Sequence, residues 1–173
     1  MNNEVINIYV GYDRRLPVAS TVLMQSIIQR STLPIRFCLL NLDNLSHLYT
    51  REVNPLQSTE FSFSRFLTPF LSNYDGWSIF MGNDIIAQDD IAKLWSLRNE
   101  KYAVMCVKHH HNPLNDKKFM GEPQTQYSKK NWSSVILFNN KKCKSLTLDY
   151  VNQATGLELH QFKWLENEDL IGD

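Results

Sequence analysis

Apolar residues fall in short blocks separated by polar stretches along this chain. The blocks at Val5–Val10, Ile35–Leu42, Trp77–Met81, Tyr102–Val107 and Trp132–Phe138 have the length and the β-branched or aromatic content of buried strands. Between the first two, Pro17 suits the first turn of a helix, and Val18, Val22, Leu23, Ser26 and Ile27 recur at helical spacing as far as Arg30. Strand, helix and strand in that order form the unit from which open parallel sheets are built. Helical spacing returns between Thr59 and Leu71, at Phe61, Arg65, Phe66 and Phe70. Asn73-Tyr74-Asp75-Gly76 then marks a turn before the third strand. Asp89-Asp90 precedes Ile91, Leu94 and Trp95, which predicts a short helix with carboxylates at its positive end. Leu146–Ala154 reads as a helix with Gly156 as its C-cap. Leu157–Asp173 offers Phe162, Trp164 and Leu165 for packing but no period, and Lys108–Tyr127 is a long polar loop of the kind that carries function. The pattern predicts one α/β domain over residues 1–173, without an internal repeat.

Length and charge narrow the possibilities. A domain of 173 residues buries roughly 70% of its unfolded surface and holds a core without disulfides or metals. Lys and Arg together number 18 and Asp and Glu 18, so the net charge is zero. That balance argues against a nucleic-acid partner and against a polybasic membrane face. Lys117-Lys118, Lys129-Lys130 and Lys141-Lys142 read either as solvated side chains or as a rim facing phosphate. Cys38 and Cys106 lie in apolar runs, which predicts core thiols, and with Cys143 they make an odd count that fits a reducing compartment. The polar start Met1-Asn2-Asn3-Glu4 is unlike a signal peptide, and no apolar stretch approaches the roughly 20 residues of a membrane span. A cytoplasmic location is expected, with attachment to the inner membrane face left open.

The candidate chemistry lies at strand ends. In a parallel sheet the first strand exits at Gly11-Tyr12-Asp13 and the third at Gly82-Asn83-Asp84, on one edge, where such sheets collect ligands. Asp13 and Asp84 can therefore share a crevice. Asp13 also reads as a helix N-cap before Pro17, and Asn83 and Asp84 as turn formers. Arg65, among Phe61, Phe66 and Phe70, reads either as a side chain paired at the core edge or as a bidentate grip on phosphate or carboxylate. His109-His110-His111 does not read as a zinc site, because neighbouring residues of an extended chain point to alternate sides and no second ligand cluster is apparent. His109, directly after a strand, is placed to line the crevice. No Ser-His-Asp pattern, Gly-rich phosphate loop or nucleophile elbow occurs.

Several segments together resemble nucleotide-sugar glycosyltransferases of the GT-A fold, most of all a bacterial group related to glycosyltransferase family 8. They are Ile8–Arg14, Ser58–Phe66, Gly76–Ile85, Tyr102–Met105 with Val107-Lys108-His109, Lys130–Ser134 with Leu137-Phe138-Asn139, and Trp164-Leu165-Glu166 followed by Leu170-Ile171-Gly172. They run in the family's order over nearly the whole chain.

The resemblance implies a Rossmann-like, mixed and mostly parallel sheet flanked by helices. It implies transfer of a sugar from a nucleotide-sugar donor, most readily a UDP-sugar, to a glycan or lipid-linked acceptor in surface polysaccharide synthesis. Gly11, Tyr12 and Asp13 would hold the nucleoside. Arg65 and Asn83 would border the diphosphate and sugar, and Trp132, Ser133 and Ser134 would line the donor-sugar or acceptor side. Asp84, Lys108 and His109 are the catalytic candidates. Asp84 stands at the second carboxylate of the family's Asp-x-Asp motif, which holds Mn2+ or Mg2+ against the diphosphate. Gly82 replaces the first aspartate, which weakens the implied cation site because affinity rises with ligand charge. The sequence ends at Asp173, before the position of a histidine that completes the metal site in similar proteins, and His160 precedes that position. A non-catalytic, nucleotide- or partner-binding domain of the same fold is the alternative.

Overall fold

The computed structural model describes residues 4–52, 57–109 and 128–173. Its elements in chain order are β1 (Ile6–Gly11), α1 (Pro17–Ile28), β2 (Ile35–Leu40), α2 (Thr68–Leu71), β3 (Trp77–Met81), α3 (Ile91–Ser96), β4 (Val104–Met105), β5 (Val135–Asn139), α4 (Leu148–Gln153), α5 (Gly156–His160) and β6 (Ile171–Gly172). The strands form one mixed sheet in the order β2-β1-β3-β5-β4-β6. β1 pairs in parallel with β2 and β3, while β5 runs antiparallel to both β3 and β4. β6 adds in parallel to β4.

This register positions everything that follows. Val10 lies opposite Met81, so β1 and β3 end level with each other on one edge of the sheet. Val135 is the partner of Met81 in the antiparallel pair, so β5 begins where β3 ends. The turn before β5 therefore arrives at the same edge as Gly11–Asp13 and Gly82–Asp84. β4 runs with β3, so the residues after Met105 leave toward that edge as well.

Each face of the sheet is covered. Ile6, Ile8 and Val10 of β1 and Ile79 and Met81 of β3 meet Leu23 and Ile27 of α1 and Ile91 and Trp95 of α3. The other face carries Tyr9, Phe80, Ile136 and Phe138 against Phe61, Phe66, Leu67, Leu146, Val151, Leu159, Phe162 and Trp164. The alternation along β1 reflects the two-residue period of a strand. Each of these fully buried apolar side chains contributes about 1.5–3 kcal/mol by leaving water.

The structure corrects several expectations. Asp90 caps α3 through the Ala92 amide, as its position suggested. Asp13 is not an N-cap: Leu16 holds that position with no side-chain bond. On α1, Leu23, Ser26 and Ile27 are buried, but Val18 and Val22 face outward. The Thr59–Leu71 segment holds a 3-10 turn at Ser64–Leu67 and the short α2, because Pro69 has no amide hydrogen to continue a longer helix. Trp132–Ser134 is a 3-10 turn rather than part of β5, and β4 keeps only Val104 and Met105 of the predicted strand. Gly156 opens α5 instead of closing α4. Thr155 and Glu158 form a reciprocal capping box there, which starts a new helix at the glycine. Cys38 is exposed on the edge strand β2, whereas Cys106 and Cys143 are buried. Burial pushes the Cys106 thiol up to about 12. Lys130, which the sequence left between a solvated and a phosphate-facing role, is buried.

Candidate functional site

The sheet edge collects three segments from distant parts of the sequence, and the Gly11–Asp13 exit of β1 comes first. A β-carbon on Gly11 would stand 2.4 Å from the Phe61 ring, so the aromatic side chain lies directly against the bare glycine backbone. Asp13 is 2% exposed. Its carboxylate accepts from the Arg15 amide at 3.0 Å, from Arg15 Nε at 2.9 Å and Nη2 at 2.7 Å, and from the Glu60 amide at 3.3 Å. Burial alone would raise the pKa of this carboxyl, but the side-chain and backbone bonds from Arg15 outweigh it and hold it below the usual carboxylate range. Glu60 in turn accepts from both the amide and the guanidinium of Arg14. Asp13 thus pins the β1 exit to the Thr59–Ser62 turn.

Arg65 is the second part. It is buried, and its guanidinium lies over Phe61 at 5.2 Å and over Phe80 at 4.9 Å. Nη1 donates to the Ser133 carbonyl at 2.6 Å, and Nε donates to the Phe61 carbonyl at 3.3 Å. Of the two readings of Arg65 left open by the sequence, the geometry is that of a side chain held at the core edge, a stacked guanidinium bound to backbone carbonyls. Such a planar, permanently charged group suits phosphate.

The Trp132–Ser134 turn is the third part. It follows Asn131 in a left-handed conformation, φ 68°, and the Ser134 carbonyl accepts from the Gly82 amide at 2.8 Å. Ser133 is buried, and its Oγ lies 2.8 Å from His160 Nδ1. The His160 ring meets Phe66 edge-on at 5.3 Å. Trp132 Nε1 donates to the His109 carbonyl, and the Lys108 ammonium lies 5.9 Å from the Trp132 ring.

Gly82, Asn83 and Asp84 close the edge between these parts. Asn83 is 5% exposed, and its Nδ2 finds no hydrogen-bond acceptor among the described residues. Asp84 is exposed. A β-carbon on Gly82 would lie 3.3 Å from Asp84 Oδ1, 3.6 Å from the Ser134 carbonyl and 3.9 Å from the Phe61 ring. A side chain at position 82 would therefore stand directly beside the Asp84 carboxylate.

Gly11, Tyr12, Asp13, Asn83, Asp84, Trp132, Ser133 and Ser134 all lie at this sheet edge, and Arg65 is bound to it. Lys108 and His109 border it through Trp132. His110 and His111, and most of the Lys108–Tyr127 loop, lie outside the described residues. His160, which the motif reading set before the position of the metal-site histidine, lies at the site edge beside Ser133. Thr155-x-x-Glu158, a capping box in the sequence, was the signal that a helix starts there and carries His160 on its last turn.

The divalent cation implied by the resemblance finds no complete donor set among the described residues. Among the described residues, no group of three or more His, Cys, Asp or Glu side chains is arranged to hold a metal ion. Asp13 is tied to Arg15, and His160 Nδ1 faces Ser133, which leaves Asp84 as the carboxylate at the β3 exit.

The comparisons with known proteins fit this architecture. No protein-family profile matches the chain. It is 46% identical over 167 residues to Protein CDI of Arabidopsis thaliana, a plant protein. The match covers 94% of this chain and 64% of that protein, so the chain spans less than two thirds of the length of this relative. Among solved structures, the WbbM bifunctional glycosyltransferase superposes with a TM-score of 0.62 at 12% identity, over 97% of this chain and 38% of that one. Mouse xyloside xylosyltransferase 1 gives 0.53 at 10% identity, over 96% and 79%. The galactosyltransferase LgtC, with donor and acceptor sugar analogues bound, gives 0.51 at 12% identity, over 95% and 68%. The chain has the GT-A type of glycosyltransferase fold. Among the described residues, no helix is long and apolar enough to cross a membrane.

Proposed function

We propose that this chain is a glycosyltransferase domain that takes a sugar from a nucleotide-sugar donor, most readily a UDP-sugar, and passes it to a glycan or lipid-linked acceptor. The observation that carries the proposal is the meeting of Arg65, Ser133 and the Gly82–Asp84 exit at the carboxyl end of β1 and β3. Ligands of open α/β sheets sit in that position. Departure of the nucleoside diphosphate breaks the bond between the anomeric carbon and the phosphate oxygen, and the electron pair stays on that oxygen. Charge develops there, and fixed positive groups aimed at it lower the barrier. Arg65 and Lys108 are the candidates for that task. Asp84 is the candidate for orienting the sugar hydroxyls, and Trp132 offers an aromatic face to the sugar ring. His109 and Ser134 border the acceptor side, and Gly11 and Tyr12 the nucleoside.

A role in surface polysaccharide synthesis, a kinship with family 8 and its bacterial relatives, and a cytoplasmic place near the inner membrane face belong to the same proposal and rest on the motif resemblance. Gly82 favours a second reading, in which the domain binds the nucleotide or a partner without turnover. A panel of UDP- and GDP-sugars, assayed for release of free nucleoside diphosphate, separates the two. Turnover of one donor that is lost in Arg65→Gln supports the transferase. Binding without release for any donor or acceptor supports the second reading.

A further inference from the structure

Helix α1 buries two serines and exposes aliphatic residues. Ser20 and Ser26 face the core, while Pro17, Val18, Thr21, Val22, Gln25 and Ile28 are exposed. No charged residue lies between Pro17 and Ile28. A surface helix ordinarily turns charged and polar groups outward. Here Ile28 is 54% exposed, and it stands one turn beyond Met24, which packs in the same cluster as Ile35 and Phe37 of β2.

The strand beside α1 has the same character. β2 is outermost in the sheet, and among the described residues no strand lies on its free side. Phe37 lies opposite Ile8 and Leu39 opposite Val10, so both belong to the face that α1 covers. Leu39 is 39% exposed, and Ile35 and Phe37 are half-buried. Arg36, the one charged residue of β2, lies on the opposite face beside Asn7. Natural edge strands are blunted by lysine, proline or a bulge, because their free N–H and C=O groups template further pairing. β2 has neither proline nor lysine and pairs with β1 in unbroken register.

We propose that a second copy of this chain covers this face, with the two β2 strands pairing antiparallel about a twofold axis and the two α1 helices packing beside the joint. A surface that meets its own copy about a twofold sets like charge against like charge. The α1 side of this face brings none, and the 18 cations and 18 anions of the chain cancel, so no net repulsion opposes the approach. The same lack of charge gives an acidic or basic partner nothing to hold. In an antiparallel pair, residues directly opposite each other share a face. Pairing centred on Phe37 sets Phe37 against its copy, Ile35 against Leu39, and Arg36 against Cys38. Apolar pairs then line the α1 side of the joint, and the two arginines do not meet. Since the strands run in opposite directions, the carboxyl ends of β1 in the two copies point opposite ways, and both candidate sites stay open.

Sedimentation velocity of the full chain over a concentration series tests this. The expected result is a species of twice the 20.2 kDa chain mass whose share grows with concentration by mass action. Leu39→Lys and Ile28→Lys place a charge in the joint at exposed positions, and each is expected to weaken the dimer dissociation constant by more than about tenfold. Circular dichroism confirms that the variants are folded. Leu157→Lys, at an exposed leucine of α5 on the other face of the sheet, is expected to leave association unchanged. A single species of the chain mass up to about 500 μM overturns the proposal. So does a dimer that persists in both folded lysine variants, or one that is lost equally in Leu157→Lys. A monomer that floats with phosphatidylcholine vesicles assigns the face to a lipid surface and also overturns it.

Discussion

Arg65 Nη1 donates to the backbone carbonyl of Ser133 at 2.6 Å, a bond that joins positions 68 residues apart. It locks the turn before β5 onto the segment before α2, and it places a permanent positive charge beside the exits of β1 and β3. The flanking Phe61 and Phe80 rings fix the plane of the guanidinium. Lysine cannot reproduce this, because an ammonium neither forks nor stacks in the same way. Arg65→Lys is expected to lower stability by about 1–3 kcal/mol, the cost of losing a buried charge-assisted hydrogen bond and leaving its carbonyl unmatched. Urea unfolding of the two proteins checks this. A loss within the error of wild type would mean that the Ser133 bond is not held in solution.

Ser133 is also tied to His160. Removing the hydroxyl in Ser133→Ala and the ring nitrogens in His160→Phe should cost stability separately but not additively. A double-mutant cycle is expected to give a coupling of about 0.5–1.5 kcal/mol, the net value of one intramolecular hydrogen bond. Strict additivity would show that the 2.8 Å contact contributes nothing.

The Asp13 carboxyl gives a pH dependence with a definite sign. Its pKa is lowered in the folded protein, chiefly because the bonds from Arg15 overcome the effect of burial. A group with a depressed folded pKa adds stability above its unfolded pKa and loses that contribution as pH falls through the folded value. Wild type should therefore exceed Asp13→Asn in stability at neutral pH. The difference should shrink as pH drops below about 4, where a free aspartate takes up its proton. Chemical unfolding of both proteins across that range measures it. A difference independent of pH would assign the effect to shape rather than charge.

Gly11 is required by close packing. The added methyl of Gly11→Ala would meet the Phe61 ring at 2.4 Å, and that ring is held by Arg65 and Phe80. Overpacking of this kind typically costs about 1–3 kcal/mol. Phe61→Leu in the same chain is expected to recover part of the loss, since a smaller side chain vacates the space. Thermal unfolding of the single and double variants checks this, and no recovery would place the strain elsewhere.

Much of the fold was legible in the sequence, for physical reasons that differ by element. β3 was read at its observed bounds because Trp77–Met81 is an apolar run, broken by Ser78 alone, after a strong turn, and a central strand is buried on both faces. α3 was legible because Asp90 is a capping residue directly before an apolar period. β4 was read with longer bounds and β6 was not read, since each keeps two residues and is defined by its neighbours rather than by its own pattern. The start of α5 was mistaken for an end because glycine serves both roles, and the Thr155–Glu158 pair that decides between them lies around it.

The strand-end residues of the site were readable from topology: parallel strands bring Asp13 and Asp84 to one edge. What topology did not give is which groups are already occupied. Arg15, two residues from Asp13, takes up its carboxylate in a local turn, and such a pairing depends on backbone geometry that spacing does not encode. The contact between Ser133 and His160 joins a turn that was read as part of a strand to a helix that was read as a tail without period, so it was out of reach.

The most direct test of a nucleotide-sugar site at this sheet edge is amide and indole NMR of the labelled chain during titration with UDP and a set of UDP- and GDP-sugars. Binding there predicts shift changes confined to Gly11–Asp13, Gly82–Asp84 and Ser133–Ser134, with the Trp132 indole signal moving as well. A spectrum that does not change with any of these ligands, or changes that cluster away from the ends of β1 and β3, would contradict it.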